Sequence, residues 1–96
     1  MILLGGGVPQ MEIREAQDII RRKYYERDNS RGVYATFTWL VEEVGEVADA
    51  LLKMDRRSLE EELADLFAWL LSVANLVDID VEEAFKKKYC EKTSDE

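Results

Sequence analysis

Between Met11 and Tyr89 the apolar residues recur every three to four positions, and no stretch of useful length keeps the two-residue period of a strand. That periodicity commits the chain to helices. Ile13, Ala16, Ile19, Ile20 and Tyr24 place a first helix over about 11–27, ended by the polar run Asp28-Asn29-Ser30-Arg31-Gly32. A second helix over about 33–54 carries a broad stripe of Phe37, Leu40, Val41, Val44, Val47, Ala48 and Leu51. Ser58-Leu-Glu-Glu61 reads as a capping box, which opens a third helix running to about Val77 through Leu59, Leu63, Leu66, Leu70 and Val73. Asp80-Val-Glu-Glu83 repeats that logic and starts a shorter fourth helix reaching about Tyr89. Only Asp55-Arg56-Arg57 separates the second and third helices, so they must fold back as an antiparallel hairpin. The expected class is all-α: an antiparallel helical hairpin with flanking helices.

A chain of 96 residues makes one domain, and at this size folding removes only about two-thirds of the unfolded surface from water. Yet 47% of the residues are hydrophobic, more than one small domain can cover, so the bundle is expected to be completed by oligomerisation as a homodimer or homotetramer. The domain is placed at 11–90, with a leader at 1–10 broken by Gly5-Gly6-Gly7 and Pro9 and a frayed tail at 91–96. Met1-Ile-Leu-Leu4 is too short and uncharged for a signal peptide and no apolar run approaches the length of a membrane span, which points to a cytoplasmic protein.

The charge balance narrows the chemistry. A net charge of −8 opposes non-specific binding to nucleic acid or anionic membranes, and a nucleotide ligand would need a bridging cation. With no histidine, imidazole catalysis is excluded, and with the single cysteine Cys90 so is a cysteine zinc site within one copy. Carboxylates remain, and such hard oxygen ligands suit Mg²⁺, with Mn²⁺ also acceptable.

They are arranged for that role. Glu43 and Glu46 lie three residues apart on one shoulder of the second helix, and Glu62 and Asp65 repeat the spacing on the same-handed shoulder of the third. The two-fold axis relating antiparallel helices carries both shoulders to one side, so the four carboxylates are expected to share a groove, offset by about one turn. Their mutual repulsion calls for a divalent cation. Glu61 reads as a helix cap. Gly45 costs about 1 kcal/mol against alanine in mid-helix, which points to a close helix approach or to space beside the metal. Trp39 and Trp69 flank the clusters, suited to stacking on a base or to core or dimer packing. Lys53 and Lys88 are the candidates for holding outer phosphates, and Asn75, at a position flanking the groove, is either a reader of a base edge or an ordinary exposed helical residue.

Glu42-Glu43-x-x-Glu46, fifteen residues, then Glu62-x-x-Asp65 resembles the signature of the MazG-type all-α nucleotide pyrophosphohydrolases. Trp39-Leu-Val-Glu-Glu-Val-Gly-Glu46 and Leu59-Glu-Glu-Glu-Leu-Ala-Asp-Leu66 are similar to that family as well, and the likeness covers roughly residues 11–90. The resemblance implies Mg²⁺-dependent hydrolysis of a nucleoside triphosphate between its α and β phosphates, giving a monophosphate and pyrophosphate. It assigns the metal to Glu43, Glu46, Glu62 and Asp65, and a further metal or the attacking water to Glu42. Phosphoribosyl-ATP pyrophosphohydrolases and dUTP/dCTP pyrophosphatases share the pattern, and a non-catalytic acidic dimerisation module is the reading from another class. Several relatives carry a later Lys-x-x-x-Asn; here Lys88 matches the lysine but Lys92 stands where the asparagine would be.

Overall fold

A computed structural model describes residues 10–90, so the expected tail and all but the last residue of the expected leader lie outside the described residues. Four α-helices follow one another: α1 (Ile13–Arg31), α2 (Val33–Leu52), α3 (Arg56–Leu76) and α4 (Val81–Phe85), the last continuing as a π-helical turn over Lys86–Cys90. No strand occurs among the described residues, and the fold class is all-α. No helix among them is long and apolar enough to cross a membrane.

The first helix is longer than its apolar stripe suggests. The run from Asp28 to Arg31 stays helical because Asp28, almost fully buried, accepts from the Arg31 guanidinium at 3.1 Å. The break falls on Gly32 alone, whose φ of 98° suits glycine and no side-chain-bearing residue, and whose N–H donates to the Asp28 carbonyl at 2.9 Å. One residue therefore joins α1 to α2.

The third helix begins three residues earlier than the Ser58 capping box would place it. Asp55 is the cap: its carboxylate accepts from the Ser58 N–H at 3.1 Å and from the Ser58 hydroxyl at 2.9 Å. Asp55-x-x-Ser58 and Ser58-x-x-Glu61 offer caps of similar strength, and the earlier one lengthens the hairpin. Glu61 is exposed and caps nothing, while the α2–α3 turn becomes Lys53-Met54-Asp55. The fourth helix starts as expected, with Asp80 accepting from the Glu83 N–H at 3.1 Å.

α1 lies antiparallel to α3, and a buried amide pair fixes their register. Gln17 Nε2 donates to Asn75 Oδ1 at 3.0 Å, and Asn75 Nδ2 returns a bond to the Gln17 carbonyl at 3.2 Å. Gln17 also reaches the Ile79 carbonyl and takes the Val81 N–H, so the loop into α4 is tied to the same point. Asn75 is thus buried structure rather than an exposed groove residue. Arg14 completes this end by pairing with Asp80 at 2.9 Å and with the buried Glu82 at 3.3 Å.

The apolar core is small. Among the described residues Ala50, Leu71 and Ala74 are the buried hydrophobic ones, whereas Phe37, Val44, Leu63, Phe67 and Leu70 each stay between 41% and 51% exposed. Leu40, Val44, Leu63, Leu66, Phe67 and Leu70 line a shallow apolar groove of about 470 Å³ along the hairpin. The chain is also open, with a Cα radius of gyration of 15.8 Å against about 12 Å for a compact chain of this length.

Candidate active site

The hairpin brings three acidic side chains together. One carboxylate oxygen each from Glu43, Glu62 and Asp65 lies within 4.8 Å of the others. Glu43 comes from α2 and the other two, three residues apart, from one face of α3. Glu43 and Glu62 are half-buried and Asp65 opens to solvent. Glu46, expected as a fourth member, is exposed and lies outside this trio, although its charge still acts on Glu43. It sits one turn further along α2 than Glu43. Glu42 is exposed and outside the trio as well.

No ion pair balances these groups. None of the ion pairs among the described residues reaches Glu43, Glu46, Glu62 or Asp65. Glu43 Oε2 is buried without a hydrogen-bond partner. Burial first, then the facing Glu62 and the charges of Asp65 and Glu46, push the Glu43 carboxyl up to about 7. When ionised it leaves an unpartnered oxygen against two other carboxylates; when protonated it can share that proton with Glu62. A buried anionic oxygen with no donor, among further hard oxygens, fits a divalent cation such as Mg²⁺.

The aromatic and basic candidates separate. Trp39 and Trp69 face each other across α2 and α3, with ring centroids 6.3 Å apart and planes 15° from parallel. The Arg31 guanidinium lies 5.3 Å from the Trp69 ring centre, so the indole is held by two neighbours. Lys53 pairs with Asp49 at 3.1 Å near the hairpin turn, ten residues or about 15 Å along the helix from Glu43. Lys88 lies over the Tyr89 ring at 5.8 Å on the C-terminal segment. Neither lysine lines the cavity that adjoins Asp65, which instead holds Arg27. Sequence reasoning missed Arg27 because it belongs to a helix whose register against α3 is set by the Gln17–Asn75 pair, far along the chain. An added Cβ at Gly45 meets nothing within 4 Å, so neither a close approach inside this chain nor crowding explains that glycine.

Antiparallel helices that present clustered carboxylates without a basic partner define a class, the helical proteins that use acidic oxygens to hold metal. The chain belongs to the MazG nucleotide pyrophosphohydrolase domain family, which matches residues 31–95. A search of curated proteins finds no individual relative that matches the chain significantly. The match takes in α2, α3 and the whole acidic trio and begins at the last residue of α1.

Proposed function

We propose that this protein hydrolyses a nucleoside triphosphate between the α and β phosphates, releasing a nucleoside monophosphate and pyrophosphate. The observation that carries the reading is the unpartnered, buried Glu43 Oε2 facing Glu62 and Asp65. Glu43, Glu62 and Asp65 would hold Mg²⁺, with Glu46 close enough to strengthen the negative field. Mg²⁺ when bound neutralises phosphate charge and activates water for in-line attack, which is why the chain can work without histidine. The chain's own part is positional. The α2–α3 hairpin fixes the trio on two rigid helices, so the phosphates meet a site ordered before they arrive. Asp65, the most exposed of the three, is the group nearest an arriving substrate, and the exposed Glu42 is the candidate for orienting the attacking water. A cytoplasmic setting, where nucleoside triphosphates are plentiful, belongs to the same reading.

A screen of canonical and modified nucleoside triphosphates with Mg²⁺, read by mass spectrometry of the products, tests this directly. Monophosphate plus pyrophosphate is the expected result. Diphosphate plus phosphate would overturn the cleavage site, and no turnover of any nucleotide would leave an acidic binding module.

The reading includes self-association. The half-exposed row of Val44, Leu63, Phe67 and Leu70 forms one continuous stripe on the outer face of the hairpin, and a second copy packed there would supply the core one chain lacks. Light scattering at micromolar concentration is expected to give a dimer or tetramer. Leu66→Glu should shift it toward monomer with loss of helicity. A well-folded wild-type monomer would rule this out.

A further inference from the structure

Three like charges gathered where α2 meets α3 push those helices apart, so the hairpin needs an attractive contact close by. Trp39 and Trp69 stand at that place. Trp39 precedes Glu43 by four residues on α2, and Trp69 follows Asp65 by four on α3. In an antiparallel hairpin the indole pair is therefore the layer next to the trio, about 6 Å along the helices and on the same faces. The ring centroids are 6.3 Å apart and the planes 15° from parallel, the offset stack that two indoles favour. Trp39 stays 49% exposed, so it is not a core residue, and what it offers the hairpin is a face for Trp69.

The stack is anchored from outside the hairpin. Arg31, the last residue of α1, holds its guanidinium 5.3 Å from the centre of the Trp69 ring. Its Nη1 donates to the Asp28 carboxylate at 3.1 Å and to the Thr36 hydroxyl at 3.4 Å. Asp28 and Thr36 are buried, at 2% and 0% exposed. One guanidinium thus meets side chains from α1, α2 and α3. Pinned by a buried carboxylate, this planar group cannot leave the indole face without breaking a charge-assisted bond. It fixes Trp69, and Trp69 fixes how closely Trp39 and α2 approach.

We propose that Arg31, Trp69 and Trp39 form a brace that sets the spacing between Glu43 on α2 and Asp65 on α3, and so sets which divalent cation the trio prefers. Arg31 and Trp39 are positioning residues in this scheme and ligate nothing. Mg²⁺ demands near-octahedral geometry at about 2.0–2.1 Å, whereas Ca²⁺ accepts more oxygens at about 2.3–2.6 Å in a flexible arrangement. Loosened helices therefore penalise Mg²⁺ more than Ca²⁺. The proposal rests on the pyrophosphohydrolase reading for the trio as a metal site, and it concerns the metal alone.

Calorimetric titration of the metal-free protein with Mg²⁺ and, separately, with Ca²⁺ tests it, with circular dichroism of each variant. Trp39→Leu is expected to keep its helical content, to weaken Mg²⁺ about tenfold and to weaken Ca²⁺ no more than about twofold, so that the preference for Mg²⁺ falls about fivefold. Trp39→Phe keeps an aromatic face against Trp69 and should retain the wild-type preference. Arg31→Lys keeps a cation for Asp28 but loses the planar group over Trp69, and should fall between the two. Equal losses for both ions, no loss for either, or a Trp39→Phe as impaired as Trp39→Leu would overturn the brace. Should Trp39→Leu lose helicity, Arg31→Lys with native helicity and an unchanged preference would overturn it as well. These outcomes separate from the reaction. Wild-type protein whose Mg²⁺ preference depends on Trp39 but which cleaves no nucleotide would sink the reaction and keep the brace. Cleavage between α and β with a preference indifferent to Trp39 would do the reverse, and wild-type protein that binds neither ion would sink both.

Discussion

Glu43→Gln and Asp65→Asn are each expected to lower turnover at least about a hundredfold while leaving the helical content unchanged. The carboxamide keeps the size and one oxygen of each side chain but loses the charge that a hard divalent cation requires, and it brings an N–H₂ group to a place where only acceptors are useful. Glu43 should be the more severe of the two, since its Oε2 is the buried atom of the trio. Glu61→Gln supplies the contrast, because Glu61 is exposed, lies outside the trio and caps no helix. Steady-state rates with saturating Mg²⁺, together with circular dichroism of each variant, check the set. If Glu61→Gln were as inactive as Glu43→Gln, the loss would report acidic surface charge in general rather than three particular ligands.

Without metal, the protein should become more stable as pH is lowered from about 8 to about 5.5. Glu43 is pushed up to about 7 in the folded state from an ordinary 4.5, so the native chain holds that proton more tightly than the unfolded chain. The stabilisation is complete below the unfolded value and is lost as pH rises through the folded one, which places the change between roughly 5 and 8. After allowance for solvent screening on the Asp65 side, it amounts to about 2 kcal/mol, or of order 10 °C in melting temperature for a domain of this size. Asp55, Asp80 and Glu82 act in the opposite sense. Hydrogen bonds from helix-terminal N–H groups, with the Arg14 guanidinium beside the latter two, hold their carboxyls below the usual range. Their contribution is lost only as pH falls through those lowered values, beneath the Glu43 window. Saturating Mg²⁺ should displace the proton and flatten or reverse the trend. Glu43→Gln should flatten it too, and should melt higher than wild type in EDTA at pH 8, the gain expected when a functional group is removed from an unfavourable place. Thermal melts at fixed protein concentration decide it, since self-association would otherwise shift the midpoint. Identical wild-type curves in EDTA and Mg²⁺ across this range would mean that the trio neither strains the fold nor binds the ion.

The helices and the hairpin were legible in the sequence because both follow from local rules. The spacing of Phe37, Leu40, Val44 and Leu51 and of Leu59, Leu63, Leu66 and Leu70 fixes a helical period, and a three-residue link leaves an antiparallel return as the solution. Residue type then restricted the chemistry, since a chain with no histidine and a surplus of acids has carboxylates to offer and little else. The i, i+3 pairs named Glu43, Glu62 and Asp65 from spacing alone. Helix ends were less legible. Asp55 and Ser58 are both good caps, and the choice between them depends on how much hairpin each would bury. Asp28 to Arg31 reads as a loop until Asp28 is buried against Arg31, a contact whose value comes from its low-dielectric surroundings.

Tertiary structure alone decided which of the four expected carboxylates share a site. Packing of α2 on α3 brings Glu43 within 4.8 Å of Glu62 and Asp65 and leaves Glu46 outside the trio, an outcome that helical spacing within either helix cannot express. It also decided the role of α1. The Gln17–Asn75 bonds join residues 58 positions apart, and by setting the register of α1 on α3 they bring Tyr24 and Arg27 to the cavity beside Asp65. Sequence determined which helices form and what chemistry they carry, because period and residue type are local properties. The register between helices determined which side chains meet, because it is settled by the few buried polar contacts that must be satisfied all at once.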